Sequence, residues 1–307
     1  MPEDRALATV VVTTRDRPEQ LAVAVESALG QSLPVDVVVV DDGSSVPVRL
    51  PQHPRLRVLR HERSAGVSAA RNAGASAACT RWVTFLDDDD RHRPNLVEAS
   101  LAAVEQSTLP RPVGVVSALA VVRDGAVVAV RTPPAARPRG DHFQLEPAEP
   151  GTSYHGKQTL VVERDVLLGI GGFDPSFASR VTTELFLRLN PVCSILGIPD
   201  VTYDFVEHSG GRISTDQERR LRSFRQLEQV HHDALRAHPS GYAELLVQHG
   251  RTCAEQGLRV EAARALGRAV RTSPGRAVGC GGARVAAGLL APTRRRTGRS
   301  AGAGPTA

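Results

Sequence analysis

Residues 82–90 read WVTFLDDDD, and this stretch decides the fold. The apolar, strand-preferring run at 82–86 fits a strand buried on both faces. It ends abruptly in Asp87, Asp88, Asp89 and Asp90, so the charge gathers at the strand's carboxyl end. That is where ligands bind in open α/β sheets.

The pattern repeats upstream. ATVVVT at 8–13 is a continuous apolar, β-branched run, VDVVVV at 35–40 is a second buried strand, and 56–60 is a third. Between them the spacing predicts helices. One runs from about Arg17 to Gly30, with Leu21, Val25, Ala28 and Leu29 as its stripe and Asp16 and Glu19 at capping-box spacing. A small-residue helix covers 66–79, and another spans about 94–107 with Pro94 near its start. Strand–helix alternation predicts an α/β fold, a Rossmann-like and mostly parallel sheet with flanking helices.

Downstream, two strand-like runs in 113–130 flank Asp124-Gly125, a hairpin signal. A Pro-rich stretch at 132–150 reads as a binding loop or lid, or as a plain surface insertion. Residues 158–206 return to strand, helix and strand, and the pattern beyond Ser214 is helical. Within it Leu246, Gly250, Ala262, Leu266, Ala269 and Pro274 have the spacing of one tetratricopeptide repeat over 243–274. The expected division is a catalytic domain at 1–215, a helical extension at 216–290 and a disordered basic tail at 291–307.

Composition narrows the function classes. The chain has 307 residues, 41% of them hydrophobic and 23% charged, as in ordinary globular proteins. Its net charge of +5 is uneven: 257–307 hold ten Arg against Glu261 alone, a net of +9, which leaves −4 for the rest. Such a basic end suits an anionic membrane surface or an acidic partner. No aromatic residue follows Tyr242, which argues against nucleic acid. Cys79, Cys193, Cys253 and Cys280 form no CxxC pair, so free thiols in a reducing cytosol are expected. The first apolar run is too short for a secretion signal, with Glu3 and Asp4 ahead of it, and no stretch approaches the roughly 20 apolar residues of a span. The expected location is cytoplasmic, with peripheral contact at the inner face of the plasma membrane.

Three motifs carry chemistry. Asp41-Asp42-Gly43-Ser44 ends a buried strand, where a carboxylate can accept from a base N–H or a ribose hydroxyl; it is also an ordinary turn sequence. Arg71, within Gly66–Gly74, can reach a base or a phosphate with its planar fork. The acidic run offers only oxygen ligands, which select Mg²⁺ or Mn²⁺, held by one or two carboxylates together with substrate phosphates.

In order and spacing these motifs resemble glycosyltransferase family 2. Gly171-Gly172-Phe173-Asp174 is similar to that family's GGFD turn, and Glu184–Leu189 to its D-L-W-L-R-L helix. His208, with Ser214 six residues on, is similar to its late His segment. The resemblance covers about 7–215. It implies a GT-A fold and inverting transfer from a nucleotide-diphosphate sugar, most often a UDP sugar, to a glycan, lipid-linked or small-molecule acceptor. Thr13, Thr14, Asp42 and Arg71 would line the base pocket, with Asp87 or Asp88 at the ribose. Asp89 would be the direct ligand of Mn²⁺ or Mg²⁺, with Asp87 and His208 as further candidates.

Two departures stand out. Thr13-Thr14-Arg15-Asp16-Arg17-Pro18 replaces the usual P-T-x-N-R-P, and Val181-Thr182-Thr183-Glu184 replaces an acidic E-D-x-D. With Thr182 at the usual base position, the base is Glu184, another acid such as Asp174, or none where the acceptor is already a better nucleophile. The rival reading is a non-catalytic sugar-nucleotide or carbohydrate binder on the same fold.

Overall fold

A computed structural model describes residues 5–140, 145, 149–153, 158–207 and 217–282. The first half alternates as the sequence predicts: β1 (Ala8–Thr14), α1 (Pro18–Leu29), β2 (Val35–Asp41), β3 (Leu56–Arg60), α2 (Val67–Ala77) and β4 (Trp82–Asp87). β1, β2, β3 and β4 are parallel neighbours in the order β3-β2-β1-β4. The apolar runs are continuous because both faces are covered. Val10, Val12, Val37 and Val39 pack on the side of α1, while Val11, Val38, Val40 and Phe85 pack on the other with residues of α2. Close approach of α2 needs Gly74, where an added Cβ would lie 2.2 Å from Val11 Cγ1.

Beyond β4 the sheet turns mixed. It continues through β5 (Arg91–His92), α3 (Leu96–Gln106), β6 (Val113–Arg123), β7 (Ala126–Arg131), β8 (Val161–Glu163), α4 (Arg164–Gly169), α5 (Val181–Leu189) and β9 (Ser194–Glu207). The full order is β3-β2-β1-β4-β8-β6-β9-β5, with β7 beside β6. β8 is antiparallel to β4 and β6, and β9 is parallel to β6. The hairpin at Asp124-Gly125 forms as expected, with φ of 51° and 79°. The two-residue β5 had no sequence signal.

One local expectation is corrected. Asp16 and Glu19 form no capping box: Arg17 is the N-cap of α1, with no side-chain cap bond. Asp16, at φ 55°, reaches the turn after β2 instead. Its N–H donates to Ser44 Oγ (2.9 Å) and its Oδ1 accepts from Ser45 N–H (2.6 Å).

By its internal contacts the chain divides into two compact units, between Gly241 and Tyr242. α6 (Gln217–Val230) and α7 (His232–Ala237) fall in the first unit, and α8 (Pro239–Glu255) crosses the division. In the second unit α9 (Arg259–Thr272) returns after Gly257, at φ 80°, and α10 (Pro274–Gly279) follows. Leu246, Ala262, Leu266 and Ala269 are buried there. A Cβ on Gly250 would lie 3.3 Å from Ala262 O, so the small residues of the repeat-like pattern mark the close approach of the hairpin. The tail at 291–307 lies outside the described residues.

Candidate active site

The parallel strands end in register. Thr13 of β1 lies opposite Asp87 of β4, and Thr14 opposite Asp41 of β2. One edge of the sheet thus carries the two threonines, the Asp41-Asp42 pair and the start of the acidic run. Thr13, Thr14, Asp42, Arg71, Asp88 and Asp90 are all buried.

The two carboxylates that end β2 are held by separate sets of donors. Asp41 accepts from the N–H groups of Ser44 (2.8 Å) and Val48 (3.2 Å) and pairs with Arg60. Asp42 binds the loop before α2. It accepts from Ser64 Oγ (2.7 Å) and from the N–H groups of Ala65 (2.8 Å) and Gly66 (2.9 Å), with His61 Nδ1 at 2.8 Å. Burial alone would raise the pKa of Asp42; these bonds outweigh it and hold the carboxyl below its ordinary value. Gly43 permits the fold-back: at φ 75°, a Cβ there would lie 2.6 Å from Ser64 N.

Two arginines compensate the acidic run. Arg71 Nη2 lies 2.5 Å from Asp87 Oδ1. Arg17 Nη1 lies 3.1 Å from both Asp88 Oδ1 and Asp89 Oδ2. Thr14 Oγ1 donates to Asp88 Oδ2 at 2.7 Å. Burial raises the pKa of Asp88, more than Thr14 and Arg17 lower it. Asp90 faces inward and accepts from the Tyr203 hydroxyl (2.8 Å) and Val206 N–H (2.9 Å), pinning β9 beneath the run.

A cleft beside these groups is lined by Arg71, Phe85, Asp87, Phe173, Thr182 and Tyr203, among other residues. Phe173 meets Phe85 edge-on at 4.9 Å and carries the Arg71 guanidinium 5.2 Å from its ring centre. Its backbone is fixed by Asn72, which accepts from Phe173 N–H (2.8 Å) and donates to Phe173 O (2.7 Å). The GGFD turn is thereby bonded to α2, 101 residues earlier in the chain.

Glu184 is not among the residues that line this cleft. It is 1% exposed. Arg188 donates to both its oxygens, at 2.5 and 2.6 Å, and His231 Nε2 lies 3.3 Å from Oε1. Burial would raise its pKa, but Arg188 and His231 hold it below the ordinary carboxylate value. Arg188 also donates to the carbonyls of Ile170 (2.7 Å) and Gly172 (2.8 Å). So enclosed, Glu184 bonds Arg188 beneath the GGFD turn. Thr182 lines the cleft without a carboxylate. Asp174 follows Phe173, and its Oδ1 accepts from Ser176 N–H at 2.8 Å. His208 and Ser214 lie outside the described residues.

The sequence gives Arg17, Asn72 and Tyr203 no role, and Asp90 only a place in the acidic run. Arg17 had a signal, since it stands in the motif ending at Pro18; the others act over separations the sequence does not display. For a divalent cation the all-oxygen donors Asp87, Asp88 and Asp89 fit, and a positive nitrogen already stands between Asp88 and Asp89. Among the described residues no three acidic, His or Cys side chains close around one point.

Residues 9–130 match the model of glycosyl transferase family 2. The similarity to that family's domain runs from β1 into β7. It is 32% identical over 193 residues to the pre-mycofactocin glycosyltransferase of Mycobacterium tuberculosis, covering 59% of this chain and 38% of that protein. It is 41% identical over 93 residues to the succinoglycan biosynthesis protein ExoO of Rhizobium meliloti, covering 28% of this chain and 26% of the other. The chain thus spans 38% or less of the length of these curated relatives. Among solved structures, that of Staphylococcus aureus TarS residues 1–349 in complex with UDP-GlcNAc superposes with a TM-score of 0.64. The identity is 17%, over 89% of this chain and 83% of that one. This likeness bears out the GT-A fold. No described helix is long and apolar enough to cross a membrane.

Proposed function

We propose that the chain is an inverting glycosyltransferase. It takes a sugar from a nucleotide-diphosphate donor of the UDP type to the hydroxyl of a glycan, lipid-linked or small-molecule acceptor. One observation carries this reading: the acidic run leaves β4 directly opposite Thr13 of β1, beside the Asp41-Asp42 turn, at the carboxyl ends of three parallel strands. The UDP-GlcNAc bound by the Staphylococcus neighbour supports the donor class.

Thr13, Thr14, Asp42 and Arg71 form the nucleotide side. Asp42 acts chiefly through the loop at 61–66 that it ties down, and Arg71 through its guanidinium at Asp87. Asp89 and Asp87, together with Asp88, would hold Mn²⁺ or Mg²⁺. When bound, the ion supplies Lewis-acid stabilisation of the departing diphosphate's charge. Phe173 and Thr182 line the space beside them for sugar and acceptor. With Glu184 enclosed, Asp174 is the side chain we assign to accept the acceptor's proton. The action is cytoplasmic, and the Arg-rich end makes peripheral contact with the inner membrane face.

The test is nucleotide release from UDP-, GDP-, dTDP- and CDP-sugars with Mn²⁺ present and absent. One donor class is expected to turn over, dependent on metal and lost in Asp89→Ala. Equal background with all donors in both proteins would favour the non-catalytic alternative.

A further inference from the structure

Of the four aspartates after β4, two share a partner. A single nitrogen, Arg17 Nη1, lies 3.1 Å from Asp88 Oδ1 and 3.1 Å from Asp89 Oδ2. The backbone of Arg17 is anchored on both sides. Its carbonyl accepts from Leu21 N–H (3.0 Å) in the first turn of α1, and the preceding Asp16 is tied to Ser44 and Ser45. The side chain is the movable part, with about a third of its surface exposed (32%) against 8% and 11% for the two carboxylates. Cation and guanidinium therefore compete for the same two oxygens. An ion arriving alone must displace Arg17 and then stand beside an unpaired positive charge. An ion arriving with a diphosphate brings the anion that Arg17 needs, and a guanidinium pairs with phosphate as readily as with carboxylate.

We propose that Arg17 is a built-in counter-ion. A divalent cation displaces it from Asp88 and Asp89, and the donor's diphosphate then takes it up, so that cation and nucleotide bind more tightly together than either does alone. The proposal rests on the donor-site reading above and adds the coupling between the two ligands. By linkage the coupling is reciprocal: the factor by which UDP tightens Mn²⁺ is the factor by which Mn²⁺ tightens UDP.

Titration calorimetry and Mn²⁺ electron paramagnetic resonance on the full chain test it, using Mn²⁺ alone, UDP alone and the two together. Arg17→Gln is expected to bind Mn²⁺ alone about tenfold more tightly than the parent, and to lose about tenfold of the mutual enhancement. Arg17→Lys keeps the charge and should hold Mn²⁺ alone near the parent affinity. It also guards against a result produced by misfolding. If Arg17→Gln binds Mn²⁺ alone no more tightly, with the enhancement intact, the counter-ion role is overturned while the donor site stands. If no protein binds Mn²⁺ with or without UDP, the donor-site reading falls and this inference with it.

Discussion

Gly172 sits at φ 66° between Arg188, which holds its carbonyl, and Asn72, whose Oδ1 would lie 2.3 Å from an added Cβ. Gly172→Ala should therefore cost about 2 kcal/mol or more, from the left-handed backbone and the displaced Asn72 together. Chemical denaturation reads the stability, and weaker donor binding should accompany it because Phe173 supports Arg71. Glu184 and Asp174 separate by what their neutral variants damage. Glu184→Gln leaves Arg188 underpaired and should lower stability by about 2–3 kcal/mol. Asp174→Asn should leave the melting temperature near the parent value and lower kcat about 100-fold. A full loss of turnover in Glu184→Gln at unchanged stability would return the base to position 184.

His92 adds a pH dependence. It is fully buried, and burial pushes its pKa down to about 4 from 6.5, against a weak pull from the Phe85 carbonyl. It is therefore neutral in the fold, while the unfolded chain takes up a proton below 6.5. Its contribution is fully present above pH 6.5 and is lost as pH falls toward 4, by about 3 kcal/mol in all. Urea midpoints at pH 7.5 and pH 5 should differ more in the parent than in His92→Gln. Equal differences would place the titration elsewhere.

At the scale of elements, β1, β2 and β4 were legible because strands buried on both faces are written as runs dominated by apolar and β-branched residues, without regular alternation. The Asp124-Gly125 hairpin was legible because its turn needs positive φ. What escaped was decided by distant partners. Asp16 looks like a helix cap beside Glu19, yet its partners are Ser44 and Ser45 on another loop. The sheet's change to mixed pairing follows from β8 entering antiparallel between β4 and β6, which no local spacing reveals. The acidic run was readable as charge gathered at the end of β4, but its compensation by Arg17 and Arg71 was not. The loop at 61–66 gives a test at this scale. Asp42 accepts both of its N–H bonds at Ala65 and Gly66, so Asp42→Ala should raise its cleavage by proteases several-fold while the sheet melts only slightly earlier.

For the whole molecule, charge is divided along the chain, with the net of −4 before residue 257 and +9 after it. We expect the full chain to sediment with phosphatidylserine vesicles at low salt and a chain ending at residue 275 to stay in solution. Both staying in solution would remove the membrane contact from the proposal. The central claim, that the acidic run is a nucleotide-diphosphate and cation site, is tested most directly by thermal melting. Parent and Asp89→Ala are melted with UDP, GDP, dTDP or CDP, each with and without Mn²⁺. A ligand that binds the folded state alone raises the melting temperature by mass action. The account predicts a metal-dependent rise with one nucleotide, UDP foremost, that disappears in Asp89→Ala. No rise with any nucleotide, or one indifferent to Mn²⁺ and to Asp89, would contradict it.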